Sequence, residues 1–180
     1  MQYSTKKLTT VAMLIALSMV VNMLLHFPII PSVSFLKYDP KDIIIVIGGF
    51  IYGPLTTILI SIICSFLELF FRAGDLVDVL MNVISTCAFA CTAAAIYRKQ
   101  HTKKGATIGL VCGVIAMTLI MLIWNYVVTP LYYHMPRVAV VGMLPAIGLF
   151  NFIKSGINAV LTLLLYKPIV TIFRKTNMEK

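Results

Sequence analysis

A succession of apolar runs, broken only by proline, glycine and short charged clusters, leaves this chain few ways to fold. The runs extend roughly from Leu8 to Leu25, Asp42 to Tyr52, Leu55 to Phe71, Val79 to Tyr97, Ala106 to Val128 and Ala146 to Ile172. A bilayer-spanning helix needs about 20 apolar residues at about 1.5 Å rise each. The 180 residues, 60% hydrophobic and 12% charged with mean hydropathy +0.97, have room for such spans and almost nothing else. The expectation is an all-α integral membrane protein, residues 1–180 forming a single transmembrane domain of six helices. The second run is short, and Gly53-Pro54 predicts a tight reversal into the third.

Charge placement predicts the topology. With the N-terminus inside, Lys6, Lys7, Arg98, Lys99, Lys103, Lys104, Lys167, Arg174, Lys175 and Lys180 face the cytoplasm, ten of the 15 basic residues. Lys37, Lys41, Arg72 and Arg137 remain outside and Lys154 falls within a run, so the positive-inside bias predicts that both termini are cytoplasmic. The net charge of +9 therefore follows from topology and does not point to nucleic acid. Asp39, Asp42, Glu68, Asp75 and Asp78, five of the six acidic residues, share the outer half. The first run is read as a retained helix, because His26, Phe27 and Pro28 follow it where a signal peptide would end in small residues. Cys64, Cys87, Cys91 and Cys112 all fall in apolar runs without metal-ligand spacing.

Lys154 is the strongest functional signal. An ionisable group inside a membrane helix is a functional-site candidate by default. Asn151, Lys154, Ser155 and Asn158 follow the i, i+3, i+4, i+7 spacing that places four polar groups on one helix face, which cannot look at lipid. Ser61, Ser65, Glu68 and Arg72 make a second polar stripe, Asp75, Asp78, Asn82 and Ser85 a third, and the fifth run ends in Trp124, Asn125 and Tyr126. Together they predict one outward-opening polar pocket with aromatic walls. Two long outer segments, Pro28 to Lys41 and Thr129 to Pro145, are expected to wall or cover it. Ala12 and Ala16, followed by Ser18 and Asn22, predict a smooth face for a close helix contact, as do Gly105, Gly109 and Gly113.

What is missing narrows the function. The sequence has no GxxxxGK[ST] phosphate loop, no HExxH, no GxSxG and no evident inverted repeat. ATP hydrolysis by that loop, the common hydrolase chemistries and independent alternating access are therefore not expected. A membrane enzyme using Glu68 and Asp78 as acid and base, and a small channel, are the competing classes. Neither has a recognisable motif here. A membrane binder that borrows its energy from a partner fits best.

The run from Phe35 to Ile43, the segment from Gly48 to Leu55, Asp78 to Ser85, Asn125-Tyr126 with Thr129-Pro130, and Pro145 with Asn151 to Asn158 resemble the riboflavin-specific S components of energy-coupling-factor (ECF) transporters. The resemblance covers nearly the whole chain. It implies a six-helix substrate-binding subunit, not an enzyme, in a bacterial plasma membrane. The implied partners are a transmembrane coupling protein and two ATP-binding subunits, with riboflavin as transported ligand and no cofactor. In that family the alanine pair of the first helix packs on the coupling protein, here Ala12 and Ala16. The vitamin site carries over to Asn125, Asn151, Lys154 and Asn158, and further to Lys37, Asp39, Asp42, Asp78, Asn82 and Tyr132. Phe35, Leu36 and Trp124 are expected to supply apolar contact to the ring. Release would follow tipping of the whole subunit in the membrane. A thiamine-binding S component is the nearest alternative, with Glu68 as the carboxylate for its cation.

Overall fold

A computed structural model of the chain describes residues 5–25, 27–28, 36–72 and 75–175. Among them are six helices and one short hairpin: α1 (Thr5–Leu24), β1 (Phe27–Pro28), β2 (Lys37–Tyr38), α2 (Lys41–Tyr52), α3 (Pro54–Arg72), α4 (Leu76–Gln100), α5 (Lys103–Tyr132) and α6 (Arg137–Lys175). Five of the helices, all but α2, are long and apolar enough to cross a membrane. The bundle is inverted relative to a water-soluble protein. Lys41, Asp42, Ser155 and Asn158 are wholly buried, whereas Phe70, Ile123 and Leu164 are mostly exposed. Such an exterior is stable only against hydrocarbon.

α2 is the central element. At about 1.5 Å per residue its 12 residues reach only about 18 Å. Lys41 through Phe50 are all buried, so none of that stretch has to face lipid. Gly49 permits the close packing, since a Cβ there would lie 2.3 Å from Thr57 Oγ1 and 2.9 Å from the Ala94 Cβ. The helix ends at Gly53, whose φ of 89° suits glycine, and α3 starts at once with Pro54. The expected reversal is therefore present.

α4 and α5 form an antiparallel pair joined by two residues. His101 closes α4 in the left-handed region, and the Thr102 hydroxyl accepts from Gly105 N at 3.1 Å to start α5. Their contact is close because Gly109 and Gly113 lie on the α4 backbone. A Cβ there would come within 2.7 Å of Ala93 O and 2.6 Å of Phe89 O respectively. The glycine stripe is thus used inside the subunit.

Two expectations about the elements change, and a third gains detail. The sequence predicts an irregular outer segment from Thr129 to Pro145, but α5 runs through Pro130 to Tyr132 and α6 begins at Arg137. Proline costs one backbone hydrogen bond in a helix, and in a bilayer that is less than exposing a whole loop. Ser18 and Asn22 are buried while Ala12 and Ala16 are exposed, so the alanine face of α1 points outward and the polar pair inward. The first outer segment is tied at its ends, Phe27 pairing with Tyr38 and Pro28 with Lys37. Phe35 lies outside the described residues.

Candidate functional site

The β2–α2 junction and the facing ends of α3, α4 and α6 enclose a cavity of about 230 Å³ at one end of the bundle. Its floor is a buried network of five charges. Lys41 bridges Asp39, at 3.3 Å, and Glu68. Lys154 pairs with Asp39 and lies 3.9 Å from Asp42. Glu68 and Asp42 have further partners. Asn22 Nδ2 donates to Glu68 at 2.8 Å and Asn82 Nδ2 at 3.4 Å, while Thr86 Oγ1 donates to Asp42 at 2.7 Å and Asn158 Nδ2 at 3.5 Å. The network joins α1, α2, α3, α4 and α6 through side chains. Buried charges persist only when paired and hydrogen-bonded in this way.

The hairpin is locked to the same network. Tyr38 Oη donates to Asn158 Oδ1 at 2.8 Å. Burial first, and then the charges of Asp39 and Asp42, push the Tyr38 phenol up to about 12, so it stays a neutral donor at physiological pH. Burial alone would raise the Asp39 carboxyl. Lys154 and Lys41 outweigh it and hold Asp39 below the ordinary carboxylate range.

Above the floor, the walls divide by chemistry. Leu36, Val79, Met81, Met121 and Phe150 are apolar, and Leu36 packs with Ile147 and Phe150 in a small cluster of its own. Ser65, Asn82, Ser85, Asn151 and Lys154 provide polar atoms. The Ser65 hydroxyl is buried with no hydrogen-bond partner among the described residues. Asn151 Nδ2 donates to Ile147 O at 2.9 Å, which leaves its second amide hydrogen and its oxygen for the cavity. A flat heterocycle with a polar edge can meet both kinds of wall.

Of the residues expected at the site, Leu36, Lys37, Asp39, Asp78, Asn82, Asn151 and Lys154 line this cavity. Asp42 and Asn158 lie beneath it, fully buried in the charge network. Asn125 is not in the wall; its Nδ2 donates to Met121 O at 2.8 Å and its Oδ1 accepts from Thr129 at 3.1 Å, both within its own helix. Trp124 packs on the main apolar core instead. Tyr132 stands at the outer edge, donating to Asp75 at 2.6 Å. Asp78 also accepts from Asp75 N at 3.2 Å, capping α4. Lys41, Phe150 and Met121 were not expected. Phe150 is four residues before Lys154 and Met121 four before Asn125, so helical spacing alone could have found them. Lys41 reads in the sequence as an ordinary loop charge, and only its burial shows otherwise.

Comparison with known proteins agrees with this architecture. A family model described as "ECF transporter, substrate-specific component" matches residues 6–166. The riboflavin transporter FmnP of Bacillus subtilis is 34% identical over 89% of this chain and 90% of its own length. The riboflavin transporter RibU of Staphylococcus aureus is 29% identical over 94% of this chain and 93% of its own. A solved S component of a bacterial ECF transporter superposes with a TM-score of 0.80 at 30% identity, covering 93% of this chain and 97% of that one. The chain is a multi-pass bacterial membrane protein and belongs to the family of substrate-specific components of ECF transporters.

Proposed function

We propose that this chain binds riboflavin in the cavity above Lys154 and mediates its uptake. The observation that carries the reading is the division of that one cavity into an apolar wall of Leu36, Met81 and Phe150 and a polar wall of Asn82, Asn151 and Lys154. Riboflavin has the matching halves: a flat ring system, and a pyrimidine edge with ribityl hydroxyls that need amide and ammonium partners. Relatives over nearly the full chain are named riboflavin transporters. Glu68, the carboxylate a thiamine cation would need, is already engaged by Lys41 and Asn22, which favours the uncharged vitamin.

The subunit works as one unit over residues 1–180, with six crossings and both termini in the cytoplasm. Supporting this orientation, Asp39, Glu68, Asp75 and Asp78 surround the ligand cavity while Lys7, Arg98 and His101 gather at the other end. α2 makes the short second crossing, and the β1–β2 hairpin stands at its outer end. The ligand enters from outside. Without a phosphate loop, the chain takes its energy from a transmembrane coupling protein and two ATP-binding subunits, docked along the Ala12 and Ala16 face.

Uptake by bacteria lacking their own flavin transport tests this. Cells expressing the chain together with an ECF module are expected to accumulate labelled riboflavin, and cells lacking the module's ATPase activity are not. Accumulation that is indifferent to the module, or that follows thiamine in place of riboflavin, overturns the reading.

A further inference from the structure

At the end of the bundle away from the ligand cavity, a second and larger cavity of about 320 Å³ opens between the start of α1, the α2–α3 turn and the end of α4. Lys7, Arg98 and His101 line it, and among the described residues no carboxylate does. The carboxylates of the described residues all belong to the other end, at the ligand cavity or the charge network beneath it. Tyr52 also lines the cavity, and its hydroxyl is buried with no hydrogen-bond partner among the described residues. The Lys7 ammonium lies 5.3 Å from the centre of the Tyr52 ring. The space beside the guanidinium is open, since even a Cβ on Gly53 would stay 4.0 Å from Arg98 Nη1. The Lys7 and Arg98 cations, the His101 imidazole and the Tyr52 hydroxyl converge here, with no carboxylate among the described residues of the lining, and suit an oxyanion.

The flank of the cavity indicates where that anion comes from. Leu55 is part of the lining and begins a row with Leu59, Ile62 and Phe66, spaced by four, three and four residues on one face of α3. These side chains are 59%, 40%, 45% and 50% exposed, a continuous apolar track leading away from the cationic cavity. We propose that this cavity holds the phosphate headgroup of an anionic phospholipid, with an acyl chain lying along the Leu55 to Phe66 row. Basic pockets between membrane helices recognise lipid phosphates in this manner. A free phosphate would use the cations but would have no use for the track. The proposal does not depend on the identity of the vitamin, and its test is read without flavin.

Native mass spectrometry of the detergent-purified subunit, titrated with phosphatidylglycerol or phosphatidylcholine, provides that test. Phosphatidylglycerol is expected to form a one-to-one adduct at least about tenfold more tightly than phosphatidylcholine, a gap of about 1.4 kcal/mol. Arg98→Gln should weaken it about tenfold and Tyr52→Phe less so, with the melting temperature in detergent retained in both as proof of folding. Equal adducts with the two lipids, or an adduct unchanged in Arg98→Gln, would overturn the proposal. Displacement of phosphatidylglycerol by millimolar inorganic phosphate would make this a free-phosphate site and overturn the lipid source. No adduct, together with loss of the ECF partner subunits from Arg98→Gln, would give the cavity to a partner protein and equally overturn it.

Discussion

Lys154 has two tasks in this structure, and they pull in different directions. It neutralises Asp39 and stands near Asp42 in the network floor, and it also lines the cavity where a ligand would sit. Lys154→Met keeps most of the stem and removes the ammonium. The substitution leaves Asp39 with Lys41 alone, and breaking a buried pair costs about 3–5 kcal/mol, so a clear fall in melting temperature in detergent is expected. Riboflavin affinity is expected to fall at least about tenfold, because a hydrogen bond to a charged group contributes about 1.5–3 kcal/mol. An unchanged dissociation constant in folded protein would remove Lys154 from the binding role. Asp39 makes a separate prediction about pH. Its carboxyl is held below the ordinary value, so the charged form is favoured by folding. That contribution is complete above the unfolded value of about 4 and is lost as pH falls through the lowered folded value. The melting temperature should therefore drop on strong acidification, and Asp39→Asn should make that acid limb shallower; an identical limb in the variant contradicts the pairing. At this scale the sequence reveals Lys154 because its charge stands alone in an apolar run. It conceals Lys41, which looks like one more charge in a loop but begins α2 and is wholly buried. It does not show that Asn125 and Asn151 each bond to the previous turn of their own helix, nor that only Asn151 lines the cavity.

At the level of helices, close approach is what small residues provide, and the structure separates two uses of it. Gly109 and Gly113 place α5 directly on the backbone of α4. Gly109→Leu and Gly113→Leu are each expected to push the two helices apart and lower stability by about 1–3 kcal/mol or more, visible as a lower melting temperature. Unchanged melting would show that the contact yields easily. Ala12 and Ala16 instead face outward from α1 and are exposed. Ala12→Trp combined with Ala16→Trp is expected to abolish uptake and leave flavin binding by the isolated subunit intact. Loss of binding in that variant would place the face inside the fold, and normal uptake would place the partner elsewhere. Helix positions were legible from the apolar runs alone. Their ends were less so around Pro130 and Pro145, which read as breaks under soluble-protein rules but continue as helix where lipid penalises exposed backbone. Ser18 and Asn22 were assigned to the wrong face of α1 because they follow the alanines in sequence, although they lie well around the helix from them.

For the molecule as a whole, one buried network ties α1, α2, α3, α4 and α6 together directly beneath the cavity. A ligand that meets Lys154 or Asn82 therefore meets side chains whose partners reach across the bundle to Asn22 on α1, the helix that carries the alanine face. Much of the general plan is readable in the sequence: hydropathy implies the helices, and the polar stripes point to one end. The pairing of charges was not readable, because it depends on how α2 sinks between its neighbours. The most direct test of the account is titration of the purified, flavin-free subunit with riboflavin, followed by quenching of flavin fluorescence, with thiamine as competitor. The account predicts saturable one-to-one quenching that thiamine does not relieve; protein that leaves riboflavin fluorescence unchanged, or that releases it to thiamine, would contradict it.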